Sequence, residues 1–179
     1  MFRRIFIVGT SGSGKSTLAK ELADAIGYDH VEIDALYWLP NWTKREKAEF
    51  DRLYQQAMKS SGVISDGNFL THGVTLGQGD CLIWLDLGRL TISRRILLRS
   101  VKRVVTREKL WSGNQEQVRF LFSFNPELNP VLWSWKSYER RKKEYAALIN
   151  SVSDATVYRI QNKTDLAECK LELVSVQSS

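Results

Sequence analysis

Cysteine, histidine and methionine each occur only twice in the 179 residues, and proline three times. Cys81 and Cys169 lie far apart, one in an apolar run and one in a terminal helical stretch, so neither a disulfide framework nor a metal site is expected. Both are read as reduced thiols of a cytoplasmic protein. The apolar runs around Ile5 and Leu82 are too short to span a bilayer. A signal peptide is not expected, because a glycine-rich motif begins at Gly9, where an apolar signal core would still be running. No Pro-rich or Gly/Ser-rich linker and no internal repeat divides the chain. With 43% hydrophobic and 26% charged residues, residues 1–179 are expected to form a single domain around a continuous core.

Acidic residues are also in deficit, leaving a formal charge of +6. The excess is local. Arg89, Arg94, Arg95, Arg99, Lys102, Arg103 and Arg107 crowd one stretch, and Arg140 to Lys143 form another. Such clusters suit a nucleic-acid face, a solvated helix surface or a clamp over transferred phosphates.

What is present most clearly is Gly9-Thr-Ser-Gly-Ser-Gly-Lys-Ser16, a full G-x-x-x-x-G-K-[ST] phosphate loop. It follows the apolar run Ile5 to Val8 and opens an amphipathic helical pattern, the context the motif requires. Gly9, Gly12, Ser13 and Gly14 belong to a turn whose backbone N–H groups, with the helix N-terminus, cradle phosphate oxygens. Lys15 supplies a mobile positive charge for the outer phosphates, Ser16 a hydroxyl for Mg²⁺, and Thr17 a contact to an inner phosphate. ATP and Mg²⁺ are the expected cofactors.

The rest of the chain alternates strand and helix patterns. Leu18, Leu22, Ala25 and Ile26 recur at helical spacing and Gly27 ends that helix. A second strand is expected over His30 to Ile33, ending at Asp34. Thr43-x-x-Glu46 reads as a capping box for a helix running to about Ser60 and closed by Gly62. Val63 to Ser65 is a third strand, ending at Asp66. Gly73, Gly77 and Gly79 suggest a mobile connection to a fourth, Cys81 to Leu85, ending at Asp86. A basic helix from about Leu90 to Val105, an Asn/Pro-interrupted insertion from Arg107 to Pro130, and a helix to about Asn150 follow. Thr156 to Ile160 is the fifth strand, and Asn162 or Thr164 caps a terminal helix. This order implies an α/β fold with a parallel sheet covered on both faces and a crevice at the carboxyl ends of its strands. Asp34, Asp66 and Asp86 are expected there. Each could instead be a cap or turn former, Asp86 most of all.

These segments resemble the adenylate-kinase-like small-molecule kinases, and within them a bacterial group labelled DNA topology modulation protein. The likeness runs from Ile5 to about Ile160. It rests on Gly9 to Thr17, Ile33-Asp34 with Leu36-Tyr37-Trp38-x-Pro40-Asn41-Trp42, Ser65-Asp66-Gly67-Asn68, Leu85-Asp86 and Leu110-Trp111-x-Gly113-Asn114-x-Glu116. The resemblance implies a P-loop NTPase fold with a five-stranded parallel sheet in spatial order 2-3-1-4-5, an acceptor-binding region over residues 34–60 and a lid over 107–130. It implies that Asp66 orients the water shell of Mg²⁺. The segment Asp66-Gly67-Asn68-Phe69 lacks the Pro and Arg that follow this Asp in adenylate kinases, which argues against AMP as acceptor. Asp34 resembles the strand-two carboxylate that shikimate-type kinases place beside an acceptor hydroxyl, and could instead be an outer partner of Mg²⁺. Arg95 and Arg99 match the pair of lid-entry arginines, and Arg141 the returning one, expected to stabilise charge on the transferred phosphoryl group.

Among the aromatics, Trp84 reads as core, Trp133 or Trp135 as core too, and Trp38 as lining a pocket. His30 and His72 are given no catalytic role. The leading expectation is an ATP/Mg²⁺-dependent phosphotransferase acting on a nucleoside, nucleotide or other small metabolite, with no membrane partner. The alternatives are a nucleotide-switched, nucleic-acid-associated protein and a nucleotide-binding scaffold with slow hydrolysis.

Overall fold

The computed structural model describes residues 1–68, 72, 74–125 and 129–177. Five strands, β1 (Arg4–Gly9), β2 (Asp29–Glu32), β3 (Val63–Asp66), β4 (Asp80–Leu85) and β5 (Thr156–Ile160), form one parallel sheet. Their spatial order is β2-β3-β1-β4-β5, the order expected from the sequence. Every β4 residue is buried, because helices cover both faces, and that is why the run from Cys81 to Leu85 carries no polar alternation.

Along β1 the side chains divide the core. Ile5 and Ile7 pack with Leu18, Leu22, Ile64, Ile83 and Leu173 under α1 (Lys15–Ile26) and α7 (Lys163–Gln177). Phe6 and Val8 pack on the other face with Phe50, Tyr54, Leu82, Trp84 and Tyr145. That face is covered by α3 (Lys47–Ala57) and α6 (Pro130–Ser151). Full burial of side chains this size contributes about 1.5–3 kcal/mol each, so the two clusters dominate the stability of the sheet. At the amino end of the sheet Asp80, fully buried, accepts from Arg4 Nε at 3.0 Å and Nη2 at 2.5 Å, tying β4 to β1 away from the crevice.

The remaining helices are α2 (Ile33–Tyr37), α4 (Arg89–Thr106) and α5 (Val118–Leu121). Ile92 and Ile96 of α4 pack against Tyr138 of α6, bringing α4 alongside the phosphate loop.

Several boundaries differ from those expected. Strand β2 stops at Glu32 and Ile33 starts α2, so Asp34 lies in a first helical turn rather than at a strand end. Helix α3 is not capped by Thr43, which pairs in a two-residue antiparallel ladder, Trp38–Leu39 against Thr43–Lys44. Glu46 caps it instead, its carboxylate accepting from Glu49 N at 3.0 Å, and α3 ends at Ala57, well short of Ser60. Asn162 caps α7, accepting from the amides of Thr164 (2.8 Å) and Asp165 (3.0 Å). The expected insertion holds a 3-10 turn at Trp111–Gly113 and α5. Its Pro126, with 127 and 128, and the expected Gly73 and Phe69 of neighbouring segments lie outside the described residues.

Asp86 does not join the crevice. It is buried, accepts from Arg159 Nη2 at 2.6 Å and Nε at 3.0 Å, and is also reached by Gln161 at 3.3 Å. Gly88, and not Asp86, is the N-cap of α4. The arginine on β5, stacked over Trp84 at 4.7 Å, turns this carboxylate into a brace between β4 and β5.

Candidate active site

The loop between β1 and α1 is shaped by three glycines at positive φ: Gly9 (152°), Gly12 (79°) and Gly14 (100°). At Gly12 a side chain is also excluded by space, since a Cβ would stand 2.4 Å from Cγ1 of Ile96 on α4. The turn is closed by Ser13 N donating to Thr10 O at 3.2 Å. Lys15 Nζ folds back to Thr10 O at 3.1 Å. Gly14 caps α1 with no side chain, so the first N–H groups of the helix face the loop without an internal partner. Thr10 Oγ1 and Ser13 Oγ, both on buried residues, have no hydrogen-bond partner. Buried hydroxyls left unpaired are costly. Together with free helix-terminal amides and a lysine, they fit a group rich in acceptor oxygens such as a triphosphate. Ser16 and Thr17 are exposed at the same helix end.

Opposite the loop stand the acidic residues. Asp66, at the carboxyl end of β3, is buried and bonded to His30, whose Nε2 is 3.1 Å from Asp66 Oδ1. That hydrogen bond, more than the charges of Asp66 and Glu32, raises the His30 pKa against the opposing effect of burial. Gly67 follows at φ 131°, and a Cβ there would meet Ile33 Cβ at 2.9 Å, so only glycine lets the end of β3 pass beneath the start of α2. Asp34 sits in a recess: its side chain meets solvent, yet protein crowds it closely enough for desolvation to raise its pKa. Lys15 and Arg99 oppose that rise and Asp66 adds to it.

The cations converge on the same space. Burial lowers the Lys15 pKa, while Asp34 and Asp66 raise it and Arg99 and Arg141 lower it further. Of the six residues expected to carry the chemistry, Asp34, Asp66, Arg99 and Arg141 thus all lie within electrostatic reach of Lys15. The sixth, Arg95, donates from Nη1 to Ser13 O at 3.0 Å on the flank of the loop. Arg99 reaches Ser11 Oγ at 3.5 Å and keeps a buried Nε with no partner. Arg141 contacts Glu144 at 3.5 Å and lies beside Tyr145, whose hydroxyl donates to Gly9 O at 3.4 Å.

Beyond Asp34 the two tryptophan-rich motifs meet. Ser112 Oγ donates to Trp38 O (2.7 Å), Trp42 N to Asn114 Oδ1 (2.9 Å), and Trp42 Nε1 to Gln115 O (3.3 Å). Trp38, half-buried, makes edge contacts with Tyr37 and Trp42. Trp133 and Trp135 are not core residues. Each is 45% exposed, with Trp135 under the guanidinium of Arg89, because α6 turns Ser134 and Tyr138 inward in their place.

Sequence reasoning assigned no role to three participants. His30 reaches Asp66 only through the parallel pairing of β2 with β3, in which Glu32 stands opposite Asp66. Burial raises the Glu32 pKa, and the neighbouring carboxylates of Asp66 and Asp34 raise it further. Asn114, although inside a quoted motif, had no assigned role.

A family model described as ATPase family associated with various cellular activities (AAA) matches residues 5–86. A cytidylate kinase of Thermosipho melanesiensis is 36% identical over 77 residues, which span 42% of this chain and only 36% of that relative. A shikimate kinase of Synechococcus elongatus is 28% identical over 138 residues, spanning 63% of this chain and 71% of that relative. The solved shikimate kinase from Acinetobacter baumannii in complex with shikimate superposes with a TM-score of 0.56 at 18% identity, over 98% of this chain and 94% of that one. The fold is that of the P-loop kinases. No helix among the described residues is long and apolar enough to cross a membrane.

Proposed function

We propose that this chain is an ATP- and Mg²⁺-dependent phosphotransferase acting on a nucleoside, nucleotide or other small metabolite, with a hydroxyl group as the favoured acceptor. The observation that carries this reading is the gathering of Asp34, Asp66, Arg99 and Arg141 around Lys15, on a loop with unpaired buried hydroxyls. Ser16 and Asp66 would hold Mg²⁺, which would neutralise charge on the phosphate oxygens. Asp34, made more basic by burial, takes the acceptor's hydroxyl proton as its oxygen bonds to the γ-phosphorus and the bridge to the β-phosphate breaks. Lys15, Arg99 and Arg141 stabilise the charge that stays on the outer oxygens and on the departing diphosphate. Gly9, Gly12, Ser13, Gly14 and Thr17 bind the phosphates, and Arg95 stiffens the loop from its flank.

The whole chain is taken as one kinase domain of a cytoplasmic protein, with an acceptor region over 34–60 and a cover from the insertion after α4. Its motifs resemble those of the bacterial group labelled DNA topology modulation protein. The nucleic-acid reading draws on the +6 charge, but Arg89, Arg103 and Arg140 are already paired to glutamates and Arg95 and Arg99 turn toward the loop. The decisive experiment is an ADP-release screen of purified protein against nucleosides, nucleoside monophosphates, sugars and hydroxy acids, with Lys15→Ala as the inactive control. Acceptor-dependent ADP release supports the reading. A protein that binds Mg·ATP but releases no ADP with any acceptor would be the scaffold alternative.

A further inference from the structure

Asn114 is buried, although it lies in an insertion whose neighbours Ser112, Gly113 and Gln115 are exposed. Its side chain bridges two stretches of chain. Oδ1 accepts from the amide of Trp42, 72 residues away, at 2.9 Å, while Nδ2 donates to Leu39 O at 2.9 Å and to Trp111 O at 2.8 Å. A second, separate observation concerns the backbone. Among the described residues four other than glycine have positive φ, and three of them, Asn41 (60°), Trp42 (55°) and Ser112 (55°), lie where these stretches meet. L-residues pay for that conformation, and it persists only where surrounding contacts impose it, most often beside a binding site.

The strained turns have a common result. They stand Trp42 against Trp38, with centroids 5.4 Å apart, and against Trp111 at 6.4 Å. The Trp111–Gly113 turn in turn lies against α2, the helix that carries Asp34. The three edge-on indoles therefore cluster beside the helix whose carboxylate is assigned to the acceptor hydroxyl.

We propose that Asn114 is a positioning residue for the acceptor: it locks the Trp38–Trp42 segment to the Trp111 turn as one aromatic wall, which receives the flat face of a ring-bearing alcohol, a nucleoside or a sugar. This rests on the kinase reading. The wall belongs to neither motif alone, since the amide of Trp42 and the carbonyl of Trp111 are held through the same carboxamide. Asn114 touches no group assigned to the nucleotide, so its loss acts on the acceptor and leaves ATP binding alone.

The test combines amide exchange and kinetics on the full chain. In Asn114→Ala, exchange over 38–44 and 110–115 should quicken together, by about tenfold or more, with residues 9–17 unchanged. Ser112→Ala, which removes only the bond to Trp38 O, should shift both segments the same way by less. With adenosine, cytidine and glucose as probes, the compound that releases ADP should show a KM raised about tenfold in Asn114→Ala, with kcat and nucleotide affinity within about threefold. Quickened exchange confined to 110–115, or an unchanged KM with kcat and nucleotide affinity falling in parallel, would overturn the proposal. ADP release with a hydroxy acid but with none of the probes would overturn the ring-bearing acceptor, whereas no ADP release with any acceptor of the wider screen counts against the kinase reading, and the joint wall then stands or falls on the exchange pattern.

Discussion

His30 on β2 and Asp66 on β3 are joined by a 3.1 Å contact from the imidazole Nε2 to the carboxylate Oδ1. The carboxylate assigned to the Mg²⁺ shell is therefore held from the neighbouring strand, and one of its oxygens is committed before any ligand arrives. Asp66→Asn should reduce Mg²⁺-dependent turnover by about 10- to 100-fold, with a raised Mg²⁺ requirement, while nucleotide affinity changes little. Turnover measured against Mg²⁺ concentration, beside a nucleotide titration, checks this. Equal losses in both would remove Asp66 from the metal's shell.

Arg99→Ala separates catalysis from stability. The guanidinium is crowded by Arg103 and keeps an unpaired Nε, so its removal should leave thermal stability unchanged or slightly raised. Turnover should fall by about 10³-fold if Arg99 acts on the transferred phosphoryl group. Paired melting and rate measurements decide, and a variant of normal activity would return Arg99 to the helix surface.

Gly12→Ala should harm both fold and function. The added methyl would press on buried Ile96 at a backbone angle of 79°, and left-handed strain with overpacking costs about 2–4 kcal/mol. Urea unfolding measures the loss. A variant as stable as the parent would mean that α4 yields easily at Ile96.

The thiols should be inert. Burial raises Cys81 far above the ordinary thiol range and pushes Cys169 up to about 12, so neither forms thiolate near neutral pH. A thiol-reactive dye at pH 8 should label neither in the folded protein and both after unfolding. Rapid labelling of the native protein would contradict the packing of β4 against α7.

Duplex DNA should bind weakly at physiological salt, with steep salt dependence, because most arginines of α4 are paired or turned to the phosphate loop. An anisotropy titration at two salt concentrations tests this. Tight, sequence-specific binding would promote the nucleic-acid reading.

The strands were legible as short runs bounded by glycine, aspartate or a helix pattern, most apolar in β1 and β4 and least so in β2, while their spatial order came from the resemblance to the adenylate-kinase-like kinases. The phosphate loop was legible for a different reason, its spacing being dictated by backbone geometry. Asp86 misled because a carboxylate at a strand end looks the same whether it faces a ligand or an arginine, and Arg159 is remote in sequence. Trp133 and Trp135 misled because size suggests burial, whereas α6 spends its inward positions on smaller or hydroxyl-bearing residues. His30 was passed over because its partner is set by strand pairing, which a single sequence does not display. Asn114 was visible as a residue but not as a bridge, since nothing local to it names Trp42.

The approach of Gly12 to Ile96 also bears on how the arginines work. Because α4 rests on the crown of the loop with no room for a methyl group, Arg95 and Arg99 ride on the same rigid body as the backbone amides below them. On the proposed kinase reading, their distance from a bound phosphate chain is set by this packing, and little ordering entropy is spent in recruiting them.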